Sequence, residues 1–280
     1  MARWPRIDQL AVVLAALFAL RAAADDTSLA FRRHGAVVAS RDLAALRAVA
    51  RAEPVRVFEP YEQREVTFVA LRFDAVLDAL YGAGWRSEEE LLFTCRDGYQ
   101  PTVPVARVLA HRAWLAFERA SAAFSIKKRE SGRVQDVSLA PFYLIWENLA
   151  DAQVRAEGDY AWPYQLVGVD LIRARDRFPR LAPPANASPA AQRGFREFRI
   201  HCSRCHPLNG EGGGIGPELN AAANPAGRRE PGWLRQWIDA PSRLVPTARM
   251  EALNPDLPDR GAVIDAIVAY LQAMAETPRD

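Results

Sequence analysis

Cys202-Ser203-Arg204-Cys205-His206 is the stretch of this 280-residue chain whose chemistry is plainest. Two thiols two residues apart can each add to a vinyl group of a haem, because the spacer matches the separation of the two vinyls. A histidine directly after the second cysteine is then carried beneath the iron. The string C-x-x-C-H is the haem c attachment pattern. It makes Cys202, Cys205 and His206 cofactor-binding residues and His206 an axial metal ligand. Two rival chemistries share part of the string. A zinc site wants further Cys or His donors nearby, and none follows His206. A redox dithiol of the thioredoxin kind sits in a βαβ setting, which the surrounding sequence lacks.

A six-coordinate iron needs a second axial ligand, usually a Met thioether or a His imidazole. No histidine follows His206, and two methionines do. Met274 falls on the apolar face of a helical stretch, where core packing is the ordinary role. Met250 lies in a Pro-rich loop, VPTARMEALNP, and a loop can wrap over the far side of a flat cofactor. Met250 is therefore the expected second ligand. An open iron, or His34 or His111 reaching across from the first half, are the alternatives.

The elements that must position these residues divide the chain. Arg3 and Arg6, the apolar run Leu10 to Leu20 and Ala22-Ala23-Ala24 read as a cleavable signal peptide over residues 1–24. The run is short for a membrane span, which needs about 20 residues, so membrane association is expected only if this segment is retained. Export with covalent haem points to the periplasm. Charge is nearly balanced, 36 Lys and Arg against 34 Asp and Glu, which gives no sign of a nucleic-acid partner. Residues 25–178 mix the two periodicities. Asp42 to Ala50 and Phe73 to Tyr81 are helical; Val55 and Val57, and Val66, Phe68 and Ala70, alternate as strands. Leu91 to Cys95, Trp114 to Phe117, Phe142 to Trp146 and Leu166 to Ile172 read as buried strands. Lys127 to Gly132 reads as an exposed turn, and Glu88-Glu89-Glu90 as a solvated helix start. Residues 179–187 are Pro- and Ala-rich and read as a linker. Ser188-Pro189 then gives an N-cap followed by proline at the first helical position. Helices are expected over 189–201, 232–239 and 261–275, so the fold class expected is an α+β domain followed by a separate all-α domain over 188–280.

Residues 188 to 277 resemble the class I cytochrome c family. Gly194, Phe198, Tyr270 and Leu271 are similar to that family's contact between first and last helices. In Gly213-Gly214-Ile215-Gly216-Pro217 the proline matches the family's haem-loop proline. The resemblance implies that the Pro217 carbonyl accepts a hydrogen bond from the second ring nitrogen of His206, fixing the imidazole. It also implies that Trp233 and Trp237 pack near the haem. Many relatives have proline after the axial Met; Glu251 stands here instead.

Arg64 to Tyr81 followed by Asp97-Gly98-Tyr99, with Pro104-Val105, Phe142-Tyr143-Leu144 and Trp162-Pro163-Tyr164, distantly resembles the sulfite-oxidase-like molybdopterin family over about 55–173. Catalytic members of that family supply a cysteine thiolate from a position upstream of the segment resembling Arg64 to Tyr81. No cysteine occupies 25–94 here, and Cys95 does not match that position; a lone strand cysteine is ordinarily a small buried hydrophobe. The resemblance therefore implies the fold without molybdopterin. The leading expectation is a periplasmic monohaem c-type electron carrier, not an enzyme, working between redox partner proteins. An oxidoreductase whose first domain feeds electrons to the haem, and a partner-docking module with a tethered haem, are the alternatives.

Overall fold

The computed structural model describes residues 27–130, 133–219, 225–255 and 257–276; the signal-peptide expectation falls outside them. Two main sheets face each other across one core. The first has the spatial order β2-β1-β11-β5-β6, formed by β1 (Leu29–Arg33), β2 (Ala36–Arg41), β5 (Glu90–Cys95), β6 (Thr102–Pro104) and β11 (Leu166–Ile172). β1 and β11 run parallel; the other pairs are antiparallel. The second is antiparallel, β10-β7-β4-β3, built from β3 (Ala52–Glu59), β4 (Arg64–Arg72), β7 (Ala113–Arg119) and β10 (Tyr143–Trp146). A hairpin of β8 (Ser125–Glu130) and β9 (Arg133–Ser138) stands apart. In β3, Val55 and Val57 turn inward while Arg56 turns out, as a half-buried strand should. Helix α1 (Leu43–Val49) is capped by the Asp42 carboxylate, which accepts from the Ala45 N–H. Helix α2 (Phe73–Tyr81) stops at Gly82, whose φ of 65° favours a residue without a side chain. The helices α3 (Val105–Ala110), α4 (Ala152–Ala156) and α5 (Ala174–Arg177) are short connectors.

From Pro189 onward the chain is helical: α6 (Pro189–His201), α7 (Pro225–Arg228), α8 (Pro231–Asp239), α9 (Pro241–Leu244) and α10 (Arg260–Glu276). Ser188 caps α6, its hydroxyl accepting from the Ala191 N–H. α6 and α10 touch at Gly194, where a Cβ would sit 1.8 Å from the Ala266 carbonyl oxygen and 2.8 Å from Tyr270 Cβ. Phe195 and Phe198 both pack on the Tyr270 ring, at 5.7 and 5.1 Å between centroids.

These helices do not form a separate all-α domain, and the fold class expected from sequence is corrected accordingly: the chain is a mixed α/β structure with several sheets. Their apolar core is shared with the sheets, since Leu92, Ile172, Phe178 and Leu181 belong to the same buried cluster as Phe198, Ile267 and Leu271. The physical reason lies in β5 and β11, which bury both faces. Leu91 and Phe93 point into the sheet core, while Leu92 and Ile172 point to the helices. Leu181, inside the expected linker, is fully buried, and its carbonyl accepts from the Tyr270 hydroxyl at 2.6 Å. Glu90 opens β5 rather than a helix and pairs with Arg199 of α6, and Glu88 lies 3.6 Å from Arg33. Lys127 to Glu130, expected in a turn, is strand β8. Among the described residues no helix is long and apolar enough to cross a membrane.

The hairpin is pinned by one buried carboxylate. Glu62 accepts from the Lys127 N–H at 2.9 Å and from both terminal nitrogens of Arg119 at 2.8 and 2.9 Å. Burial alone would raise the Glu62 carboxyl, but the bonds from Arg119, the Lys127 N–H and Arg64 outweigh it and hold the group down at about 2. A carboxyl held below its unfolded value of 4.5 stabilises the fold above that pH and loses the contribution as pH falls toward 2. Glu62→Gln is therefore expected to cost about 2 kcal/mol at neutral pH. In paired urea titrations the difference from wild type should shrink to about half by roughly pH 3. A difference independent of pH would refute the assignment.

Candidate functional site: the Cys202–His206 turn and its cavity

Helix α6 ends at His201, and the chain then turns tightly through the cysteine motif. The Cys205 and His206 amides both return to the Cys202 carbonyl, at 3.0 and 2.9 Å. The glycine-rich segment wraps this turn. Gly213 N–H donates to the Ser203 carbonyl at 2.7 Å and Gly216 N–H to the Cys205 carbonyl at 2.8 Å. The approach explains the glycines: a Cβ on Gly213 would stand 2.0 Å from the Arg204 carbonyl oxygen, and one on Gly216 2.3–2.7 Å from three atoms of the His206 ring. The wrap sets the imidazole, whose Nδ1 lies 3.0 Å from the Pro217 carbonyl oxygen. Because a carbonyl can only accept, Nδ1 is the donor in this contact, which leaves Nε2 as the nitrogen through which the ring could ligate.

His206 opens into a cavity of about 290 Å³ whose walls are mainly apolar. Phe198 and Cys202 from α6, Ile267 and Leu271 from α10, and Trp233 and Trp237 from α8 line it, together with Met250 and Pro217. The two tryptophans are stacked, with centroids 5.2 Å apart and planes at 10°, and the Arg229 guanidinium lies over Trp233. Of the residues expected from sequence, Cys202, His206, Met250 and Pro217 meet at this one cavity. Cys205 sits half-buried beside it and is not in its wall. Met274 is elsewhere, buried in the core at 3% exposure. His34 lies against Glu88, and His111 Nδ1 contacts Asp151 at 2.6 Å, so neither lines the cavity.

The donors suit a group held by covalent bonds, and not a bare ion. Among the described residues no three His, Cys, Asp or Glu side chains converge, so the further donors that a zinc site at His206 would need are not gathered there. Neither cysteine is in a disulfide, and burial pushes the Cys202 thiol up to about 12 and raises that of Cys205. Such thiols are poor free nucleophiles or redox dithiols, whereas the apolar cavity walled by Cys202 and His206 suits a porphyrin. Haem c therefore fits the residues present: Cys202 and Cys205 would hold it, and His206 and Met250 offer axial donors. Cys95 is 3% exposed in β5, and burial, with Asp97 beside it, raises its thiol well above the usual range.

Several residues of this site escaped sequence reasoning because they come from the distant turn between β5 and β6. The Asp97-Gly98-Tyr99 turn, held by the Tyr99 N–H donating to Asp97, docks on the cysteine motif. Gly214 N–H donates to the Gly98 carbonyl, Gln100 N–H donates to the Arg204 carbonyl, both at 2.9 Å, and Arg204 donates to the Tyr99 hydroxyl at 3.3 Å. No protein-family model matches the chain, and no curated protein matches it significantly.

Gly216→Ala should push the imidazole off Pro217 and cost about 1–3 kcal/mol in urea denaturation. Gly214→Ala, whose new Cβ meets nothing within 4 Å, should stay within about 0.5 kcal/mol of wild type. Equal costs at the two positions would show that the glycine wrap does not seat His206.

Proposed function

We propose that this chain is an exported c-type haem protein that carries single electrons between redox partner proteins in the periplasm. One observation carries the reading. The C-x-x-C-H turn, the Nδ1 contact between His206 and Pro217, and Met250 all border one apolar cavity. The resemblance of this region to class I cytochromes c supports it further. When bound, the haem supplies a one-electron couple at its iron.

The chain's own residues do the rest. Cys202 and Cys205 hold the group by two thioethers, so it cannot dissociate in a dilute compartment. Pro217 fixes the tautomer of His206 and increases its basicity as a ligand. Met250 offers a neutral, polarisable sulfur, which favours the reduced iron and raises the potential. Phe198, Trp233, Ile267 and Leu271 exclude water from the group, which also disfavours the more highly charged oxidised state.

Redox titration of the exported protein should give one reversible one-electron wave. Met250→Ala should lower its midpoint by tens of millivolts or more and open the iron to carbon monoxide. A midpoint and spectrum unchanged by that substitution would overturn the role of Met250.

A further inference from the structure

The loop that carries Met250 has backbone anchors at both ends, and between them Met250 packs against the core. At its entry, Val245 N–H donates to Pro241 and Ala248 N–H to Val245, both at 2.9 Å. At its exit, Leu253 N–H donates to the Ile238 carbonyl at 3.1 Å. There Arg260 also ties the loop down. Its Nε and Nη2 donate to the carbonyls of Leu253 and Asn254 at 2.9–3.1 Å, and its guanidinium pairs with Asp239. Among the described residues no backbone bond from Arg249, Met250, Glu251 or Ala252 closes the gap between these anchors. An ion pair from the sheet portion also reaches this stretch: Lys128 Nζ of β8 lies 2.9 Å from Glu251 Oε1.

The Lys128 end of this pair is pre-positioned. Its side chain is 20% exposed, and its ammonium sits 5.3 Å over the Tyr61 ring, a cation–π contact. Tyr61 is in turn braced edge-on by Tyr164, with centroids 6.0 Å apart. The strand beneath is fixed by Glu62 through the Lys127 N–H. Much of the side-chain entropy that an ordinary surface lysine loses on pairing is therefore already lost in the fold. Glu251, 58% exposed, is the more solvated partner.

We propose that Lys128 is a positioning residue for the Met250 side of the cavity: through Glu251, the hairpin of the sheet portion holds the middle of the loop so that Met250 stays in the cavity wall. This rests on the haem reading above and deepens it by giving the hairpin a task. The sheet portion then grips the site twice. It touches the cysteine side through Gly98 and Tyr99 and the methionine side through Lys128. Loosening the second grip increases the fraction of chains in which Met250 has left the wall and an external ligand can enter.

The test is carbon monoxide binding to the reduced, haem-loaded full chain, with covalent haem content measured on the same samples. Lys128→Ala and Glu251→Ala should each bind carbon monoxide up to about fivefold faster than wild type, the factor that corresponds to the ~1 kcal/mol of a partly exposed pair. High salt should speed wild type toward the variants and leave the variants unchanged. The exchanged pair, Lys128→Glu with Glu251→Lys, should bind more slowly than either single variant but faster than wild type, because the ion pair returns without the cation–π contact to Tyr61; a merely structural role for either side chain would not be rescued in this way. Full haem content with wild-type rates in both single variants, while Met250→Ala binds fast, overturns this proposal and leaves the haem reading standing. A wild-type chain without covalent haem overturns both.

Discussion

The close crossing of α6 and α10 at Gly194 is the constraint on which the site depends. With no side chain at that position the two backbones meet directly, Gly194 against the Ala266 carbonyl. Both helices supply residues to the cavity wall. α6 carries Phe198 and then delivers Cys202 at its C-terminal cap; α10 carries Ile267 and Leu271. Tyr270, wedged beside the crossing, sends its hydroxyl to the Leu181 carbonyl and fixes the helix pair to the sheet portion. A larger residue at 194 would separate the helices and with them the cavity's opposite walls.

A second layer of the design is the wrap of glycines around the cysteine turn. Backbone amides of Gly213 and Gly216 bind the carbonyls of Ser203 and Cys205, so the motif is held by main-chain geometry that side-chain motion cannot disturb. The same segment offers Gly214 to Gly98 of the sheet portion. Turn, wrap and sheet thus form one continuous unit. That continuity, together with the shared core of Leu92, Ile172, Phe198 and Leu271, is why the helices are not an independent domain.

Part of this was readable in the residues. The cysteine motif pointed to the turn that borders the cavity, and Ser188-Pro189 marks the start of α6 with both its cap and its first-turn proline. The strands over 91–95 and 166–172 follow from their apolar runs. The joining of the two halves was harder to read, because it rests on single residues far apart in sequence: Glu90 with Arg199, Gly98 with Gly214, Lys128 with Glu251. One signal was present. Leu91-Leu92-Phe93 is apolar without alternation, which marks a strand covered on both faces, and the second cover is the helical half. The charges from Lys127 onward misled because they mask strand β8: Ile126 is buried, exposed Lys127 pairs with Asp136, and Lys128, on the other face, lies over the Tyr61 ring and reaches Glu251. Met250 could be chosen over Met274 from loop against helix, but its tether could not, since Lys128 lies more than 100 residues away.

The most direct test of the central claim is the intact mass of the natively exported protein, measured after unfolding in acid and organic solvent. Covalent attachment is expected to leave one haem mass on every chain under conditions that extract any non-covalent haem. Cys202→Ser with Cys205→Ser should give the bare polypeptide mass. A wild-type chain at its bare mass, from cells able to attach haem to other C-x-x-C-H proteins, would contradict the account.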